Sequence, residues 1–172
     1  SKKDIFIAST GMISRELFEI RAKNNMPHKT DFLTVGGMGH SSQIAVAVAK
    51  SVPDERVICL DGDGSLLMHC GGMAECANTP NLTHVVLNNG AHDSVGGQPT
   101  KGFDVNFKKI AEGFGYQKVS EASAHETIKR AITDEGRGSR FLEVKCRIGN
   151  RKDLGRPTTP PKQNMDDFMS FI

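Results

Sequence analysis

The sequence has no surplus of charge of either sign, with Lys and Arg totalling 22 against 20 for Asp and Glu. That balance offers no basic patch to a nucleic acid and no field that would draw the chain to an anionic membrane, so a small molecule is the expected ligand. No apolar run approaches the ~18 residues of a membrane span, and the charged start Ser1-Lys2-Lys3-Asp4 precedes too short an apolar stretch for a signal peptide. The only cysteines are Cys59, Cys70, Cys76 and Cys146, with no C-x-x-C pair and no loop-rich disulfide framework around them, so they read as reduced thiols. No internal repeat or low-complexity tract is present. These absences lead us to expect a soluble, cytoplasmic protein. The chain opens on Ser1 rather than Met, which leaves a processed start, a tag remnant and an excised domain all open.

What is there is a regular alternation. Short β-rich runs (Ile5 to Ala8, Phe32 to Val35, Arg56 to Leu60, Leu82 to Leu87, Gln117 to Val119, Phe141 to Ile148) are separated by helical patterns at Arg15 to Lys23, Ser42 to Lys50, Leu67 to Ala77, Phe107 to Gly113 and His125 to Thr133. Runs such as Val57-Ile58-Cys59-Leu60 and His84-Val85-Val86-Leu87 are apolar almost throughout, as strands are when helices cover both faces of a parallel sheet. The expected fold is α/β: a doubly wound, mostly parallel sheet flanked by helices. A length of 172 residues with 37% hydrophobic content suits one compact core. Residues 1–150 are expected to form that domain. Residues 151–172, with Arg156-Pro157 and Thr159-Pro160-Pro161, are polar and proline-broken and are expected to form a C-terminal arm or lid.

In a doubly wound sheet ligands bind beyond the carboxyl ends of the strands, where loops converge and helix N-termini point inward. The loops in those places are Ser9-Thr10-Gly11, Gly36-Gly37-Met38-Gly39-His40, Asp61-Gly62-Asp63-Gly64-Ser65 and Asn88-Asn89-Gly90-Ala91-His92-Asp93. Gly62-Asp63-Gly64-Ser65 sets a carboxylate between glycines, so backbone can approach an anion while the acid faces a cation. Magnesium wants oxygen ligands and is commonly shared between a few protein oxygens and a phosphate group. Asp63, the Asn89 amide oxygen and a backbone carbonyl just beyond it would supply three, while Ser65 and the free amides of the following helix would cradle phosphate.

A G-D-G loop and an N-N loop, both at strand carboxyl ends and separated by one helix and one strand, resemble the signature of thiamine-diphosphate enzymes. The resemblance implies thiamine diphosphate and magnesium as cofactors, with Asp63, Asn89 and the Ala91 carbonyl as metal ligands. It implies further that Met38 props the cofactor in a bent conformation, that the Gly36 carbonyl receives its pyrimidine amine, and that Thr10, Gly11, Gly62, Gly64, Ser65 and Ser94 belong to its cradle. Leu87-Asn88-Asn89-Gly90-Ala91-His92-Asp93-Ser94-Val95-Gly96-Gly97-Gln98-Pro99-Thr100, with Met38-Gly39-His40 and Arg151-Lys152-Asp153-Leu154-Gly155-Arg156-Pro157, is similar to the phosphonopyruvate decarboxylases and their sulfopyruvate-decarboxylating relatives. The implied reaction is non-oxidative loss of carbon dioxide from a small anionic 2-oxo acid. Phosphonopyruvate, yielding phosphonoacetaldehyde in phosphonate biosynthesis, is the leading substrate, with the sulfopyruvate decarboxylase beta subunit as the alternative.

His92, Asp93 and His40 are the candidate proton carriers, since histidine titrates near neutrality. Some relatives carry an acid a few residues after the N-N pair, where this chain has Ser94-Val95, so protons must be moved differently here. Lys101, Arg151, Lys152 and Arg156 are candidates to neutralise a substrate anion. The resemblance extends over the whole chain yet covers only the diphosphate-binding domain of such enzymes. It therefore implies a pyrimidine-binding domain or subunit as partner and a homo- or hetero-oligomer with shared sites. Two other readings stand beside it. Gly37-Met38-Gly39-His40-Ser41-Ser42 nearly matches the dinucleotide G-x-G-x-x-G, which would make an NAD-dependent oxidoreductase, although a serine replaces the third glycine and the Asn88-Asn89 loop is left without a task. The other is a non-catalytic, cofactor-binding subunit.

Overall fold

A computed structural model describes residues 4–134 and 136–172. The strands are β1 (Ile5–Ala8), β2 (Asp31–Leu33), β3 (Val57–Gly62), β4 (Leu82–Asn88), β5 (Lys118–Ala122) and β6 (Arg140–Lys145). They form one sheet in the order β2-β1-β3-β4-β6-β5, and every neighbouring pair is parallel. The helices are α1 (Met12–Lys23), α2 (Ser41–Ser51), α3 (Asp63–Met68), α4 (Met73–Ala77), α5 (Phe107–Phe114), α6 (His125–Thr133) and α7 (Pro161–Met169). The expected doubly wound α/β architecture is the one observed.

Alternation of side chains along β1 shows how both faces are filled. Ile5 and Ile7 point into a cluster with Ala45, Val46, Met73, Phe107 and Phe141, so α2, α4 and α5 cover that face. Ala8 points the other way, joining Leu17 and Phe18 of α1, while Ile58, Val85, Leu142 and Val144 meet α6 on the same side. The central strands are buried at nearly every position, which accounts for their continuous apolar character. No helix among the described residues is long and apolar enough to cross a membrane.

Two elements depart from the expected pattern. The single helix anticipated over Leu67 to Ala77 is divided into α3, a short 3-10 turn at Cys70–Gly72, and α4. Gly71-Gly72 lowers helix propensity there, and Gly72 lies so close to Gln43 that a Cβ would stand 2.3 Å from its amide nitrogen. The tail also contains α7, whose first residue is Pro161, a position where the missing N–H breaks no hydrogen bond. Asn164 accepts from the Leu33 amide at 3.0 Å and donates to the Asp31 carbonyl at 2.9 Å, continuing the hydrogen bonding of edge strand β2. Phe168 is buried edge-on against Phe32 and anchors the helix to the main core.

The strand order reverses between β1 and β3, since the chain leaves β1 for β2 on one side and returns to place β3 on the other. In such a sheet that crevice is where a ligand fits.

Candidate cofactor site at the strand carboxyl ends

A cleft of about 400 Å³ opens at this crevice. Its walls come from the loops after β1 (Ser9, Thr10), β3 (Gly62 to Ser65), β4 (Asn89, Ala91 to Ser94) and β6 (Cys146 to Asn150), with Met38 and one side of α1 completing it.

The loops are tied to one another by short polar side chains. The Thr10 hydroxyl accepts from the Gly36 amide at 3.0 Å. Ser65, buried at the start of α3, accepts from the Gly39 amide at 2.9 Å and from the Ser9 hydroxyl at 3.2 Å. Glycines sit where these loops touch. A Cβ on Gly11 would meet the Ser94 hydroxyl at 2.8 Å, and one on Gly64 would meet the His92 ring at 2.4 Å. Gly11 and Gly39 also hold positive φ, where a side chain is strained. Small residues thus let four loops approach within contact distance while leaving space between them.

Asp63 is the first residue of α3 and is only 2% exposed. Its carboxylate accepts from the Thr100 hydroxyl, and no lysine, arginine or histidine among the described residues lies within ion-pair distance. A buried carboxylate without a cation costs several kcal/mol, so the site has the electrostatic form of one built for a positive ligand. Gly102 presses against the acid from below: a Cβ there would stand 2.3 Å from its Oδ2 and 2.5 Å from Asn88 Oδ1. Asn88 in turn donates to the Gly102 carbonyl and to Glu143 Oε1, both at 2.7 Å, and Glu143 is paired with Lys145 at 2.6 Å. Beside Asp63, the Cys146 thiol is pushed up by burial and then by the negative charge of Asp63.

Asn89 donates to Asp93 Oδ2 at 2.6 Å, and the Gly149 amide donates to the same oxygen at 2.8 Å. Asp93 thereby joins the β4 loop to the segment after β6. The loop is closed by a bridge between Ala91 and Pro99 and by hydrogen bonds from the His92 amide to the Gln98 carbonyl and from the Thr100 amide to the Gly90 carbonyl.

Of the candidate site residues, Thr10, Met38, Gly62, Asp63, Gly64, Ser65, Asn89, Ala91, His92, Asp93 and Ser94 all line the cleft. Gly11 and Gly36 stand just behind its wall, through their contacts with Ser94 and Thr10. His40 lies outside, exposed and tilted against His69 with ring centroids 4.3 Å apart. None of the four candidate substrate cations is in the lining: Lys101 pairs with Asp104, and Arg151 with Glu16 and Glu19. Arg147 is the cation that faces the cleft. It was not singled out from sequence, nor were Thr100 and Gly102, because their partners lie far away in the chain.

A larger hollow, about 590 Å³, lies at the amino ends of the strands. Its Arg56, Arg137 and Arg140 are matched by Asp4, Asp54 and Glu55, so its lining carries no net sign. It receives none of the loops that follow a strand's carboxyl end.

Parallel sheet, crevice at the switch point and glycine-lined, cation-seeking loops define a cofactor-binding α/β domain. The family model for the C-terminal TPP-binding domain of thiamine pyrophosphate enzymes matches residues 8–144. The chain belongs to this family. It is 34% identical to a phosphonopyruvate decarboxylase of Streptomyces viridochromogenes, with 96% of this chain aligned to 41% of that protein. It is 31% identical to the sulfopyruvate decarboxylase subunit beta of Methanocaldococcus jannaschii, over 78% of this chain and 71% of the subunit. A thiamine diphosphate-dependent 4-hydroxybenzoylformate decarboxylase of Rhodococcus jostii shares the fold, with a TM-score of 0.61 and 17% identity over 88% of this chain and 31% of that one. The chain thus spans less than half the length of the phosphonopyruvate decarboxylase it matches.

Proposed function

We propose that this chain is the diphosphate- and magnesium-holding half of a decarboxylase acting on phosphonopyruvate. The observation that carries the reading is the buried carboxylate of Asp63, at a glycine-lined crevice and with no cation paired to it among the described residues. Asp63, the Asn89 side-chain oxygen and the Ala91 carbonyl form an all-oxygen donor set of the kind magnesium prefers. Ser65 and the free amides at the start of α3 offer hydrogen bonds to a diphosphate. Thiamine diphosphate, when bound, supplies the electron sink for loss of carbon dioxide from a 2-oxo acid.

The chain's own residues bind, orient and exclude water. Met38, in the lining from the loop after β2, props the cofactor from its apolar side. His92, packed over Gly64 at the cleft wall, is the leading candidate to move a proton, and Asp93, through its bond to Asn89, is the other candidate in the lining. Arg147 is the cation available to a substrate phosphonate. The overall step takes phosphonopyruvate and one proton to phosphonoacetaldehyde and carbon dioxide.

The other half of the site belongs to a pyrimidine-binding domain or subunit. Support comes from exposed apolar residues around the cleft: Val35, Val95, Phe103 and Ile148 all lie in loops after strand carboxyl ends, and Ile20 of α1 reaches the lining. Sulfopyruvate is the second reading, favoured by the 71% of the beta subunit that this chain spans. Initial rates on the two substrates separate them. Titration calorimetry on the assembled enzyme tests the site itself: thiamine diphosphate binds only with magnesium, and Asp63→Ala abolishes that binding. Undiminished affinity in the variant, or preferential binding of NAD, refutes the assignment.

A further inference from the structure

Beneath the Gly62 to Ser65 loop lies a polar cluster whose own side chains are not in the lining of the cleft. Cys59, Asp61 and His84 are each 0% exposed, on one face of the sheet, and their polar atoms lie within 4.8 Å of one another. Cys59 and His84 are register partners across β3 and β4, and Asp61 follows Cys59 by one full side-chain repeat. Tyr116, at 6% exposure, closes the cluster from the turn between α5 and β5. His84 Nε2 faces Asp61 Oδ2 at 3.4 Å, and His84 Nδ1 lies 2.9 Å from the Tyr116 hydroxyl. The other Asp61 oxygen, Oδ1, accepts from the Gly62 amide at 2.9 Å.

Packing alone does not call for this arrangement. Replacing a buried ion pair by apolar groups of similar volume is often neutral or stabilising, and the rest of this face is filled by aliphatic and aromatic side chains. What the pair does make is a rigid link from the core to one peptide. That peptide is Gly62, which lines the cleft and directly precedes Asp63.

We infer that His84 and Tyr116 are positioning residues which, through Asp61, lock the Gly62 amide and so fix the direction in which Asp63 presents its carboxylate. The inference rests on the cofactor reading given above. Burial opposes a charge on His84, but its hydrogen bonds to Asp61 and Cys76 outweigh it and lift the ring to about 9, so at neutral pH both ring nitrogens donate. Burial also pushes the Cys59 thiol well up, and Asp61 and Cys76 add to that rise.

Hydrogen exchange on the full chain without cofactor tests the link. His84→Gln and Asp61→Asn are expected to speed exchange of the Gly62 to Ser65 amides by about tenfold while β4 and β6 keep their protection. Tyr116→Phe, which removes one hydroxyl and is safest for folding, is expected to give a smaller increase in the same amides. In the assembled enzyme, His84→Gln is expected to weaken magnesium-dependent thiamine diphosphate binding about 10- to 100-fold, the usual cost of losing a residue that orients a metal ligand. Unchanged loop exchange in His84→Gln and Tyr116→Phe overturns the inference, and so does a uniform rise across the sheet. Stoichiometric zinc lost in Cys59→Ser also overturns it, since Asp61 and His84 would then be ligands. Failure of the cofactor reading is distinguishable: it leaves the loop-specific exchange intact while wild type binds no thiamine diphosphate.

Discussion

The two ends of the same sheet are closed by different chemistry. At the amino ends, long charged side chains pair across the gap, with Arg56 gripping Asp4 at 2.7 and 2.6 Å and Arg137 facing Asp54 at 3.9 Å. At the carboxyl ends, glycine, serine, threonine and asparagine tie backbone to backbone, and one acid is left buried with no cation paired to it among the described residues. The amino-end hollow is the larger of the two. Size therefore does not mark the site; uncompensated charge and loops too small-sided to fill their own space do.

This contrast can be broken by substitution at either end. Gly102→Ala places a methyl group against Asp63 and Asn88, and we expect magnesium-dependent cofactor affinity to fall by about 100-fold, read by calorimetry. Arg137→Ala at the opposite end removes only an exposed pair, and stability should change by less than about 0.5 kcal/mol with binding untouched. Equal effects from the two would erase the distinction. Met38→Ala sharpens it: a prop in the cleft costs turnover, about tenfold or more, whereas a core truncation costs roughly 2–5 kcal/mol of stability. Lost stability with normal turnover in the assembled enzyme would place Met38 in the core.

A further effect concerns pH. The folded-state value of His84 is raised from 6.5 to about 9, so its contribution to stability is complete below pH 6.5 and is lost as pH climbs through 9. The groups facing the ring are Asp61 and Cys59 of β3, Cys76 of α4, and Tyr116. Urea unfolding should show stability declining over that window by on the order of 1–3 kcal/mol, and His84→Gln should flatten the slope. A wild-type profile as flat as the variant's would remove the buried charge pair from the account.

Much of this was legible from sequence because parallel strands announce themselves. Val57-Ile58-Cys59-Leu60 admits few other structures, and the bounds read for β1 and α6 coincide with those observed. The loops were legible for a related reason: Gly, Asp and Asn cluster only where backbone must turn or approach a ligand. What escaped was long-range or locally ambiguous. Pro160-Pro161 reads equally as a break and as a helix start, and only the distant β2 edge decides for α7. Nothing near Thr100 or Gly102 signals that they support Asp63, 37 residues earlier for the threonine. His84 reads as one polar residue in an apolar strand until Asp61 and Tyr116 are brought to it.

The central claim is that this chain holds half of a shared site. Its most direct test is carbon dioxide release from phosphonopyruvate, with magnesium and thiamine diphosphate, by the purified chain alone and after addition of a pyrimidine-binding domain. The account predicts no appreciable release from the chain alone, because on this reading the partner supplies the wall that excludes water and the group that activates the pyrimidine, and release from the mixture. Turnover by the chain alone would contradict it.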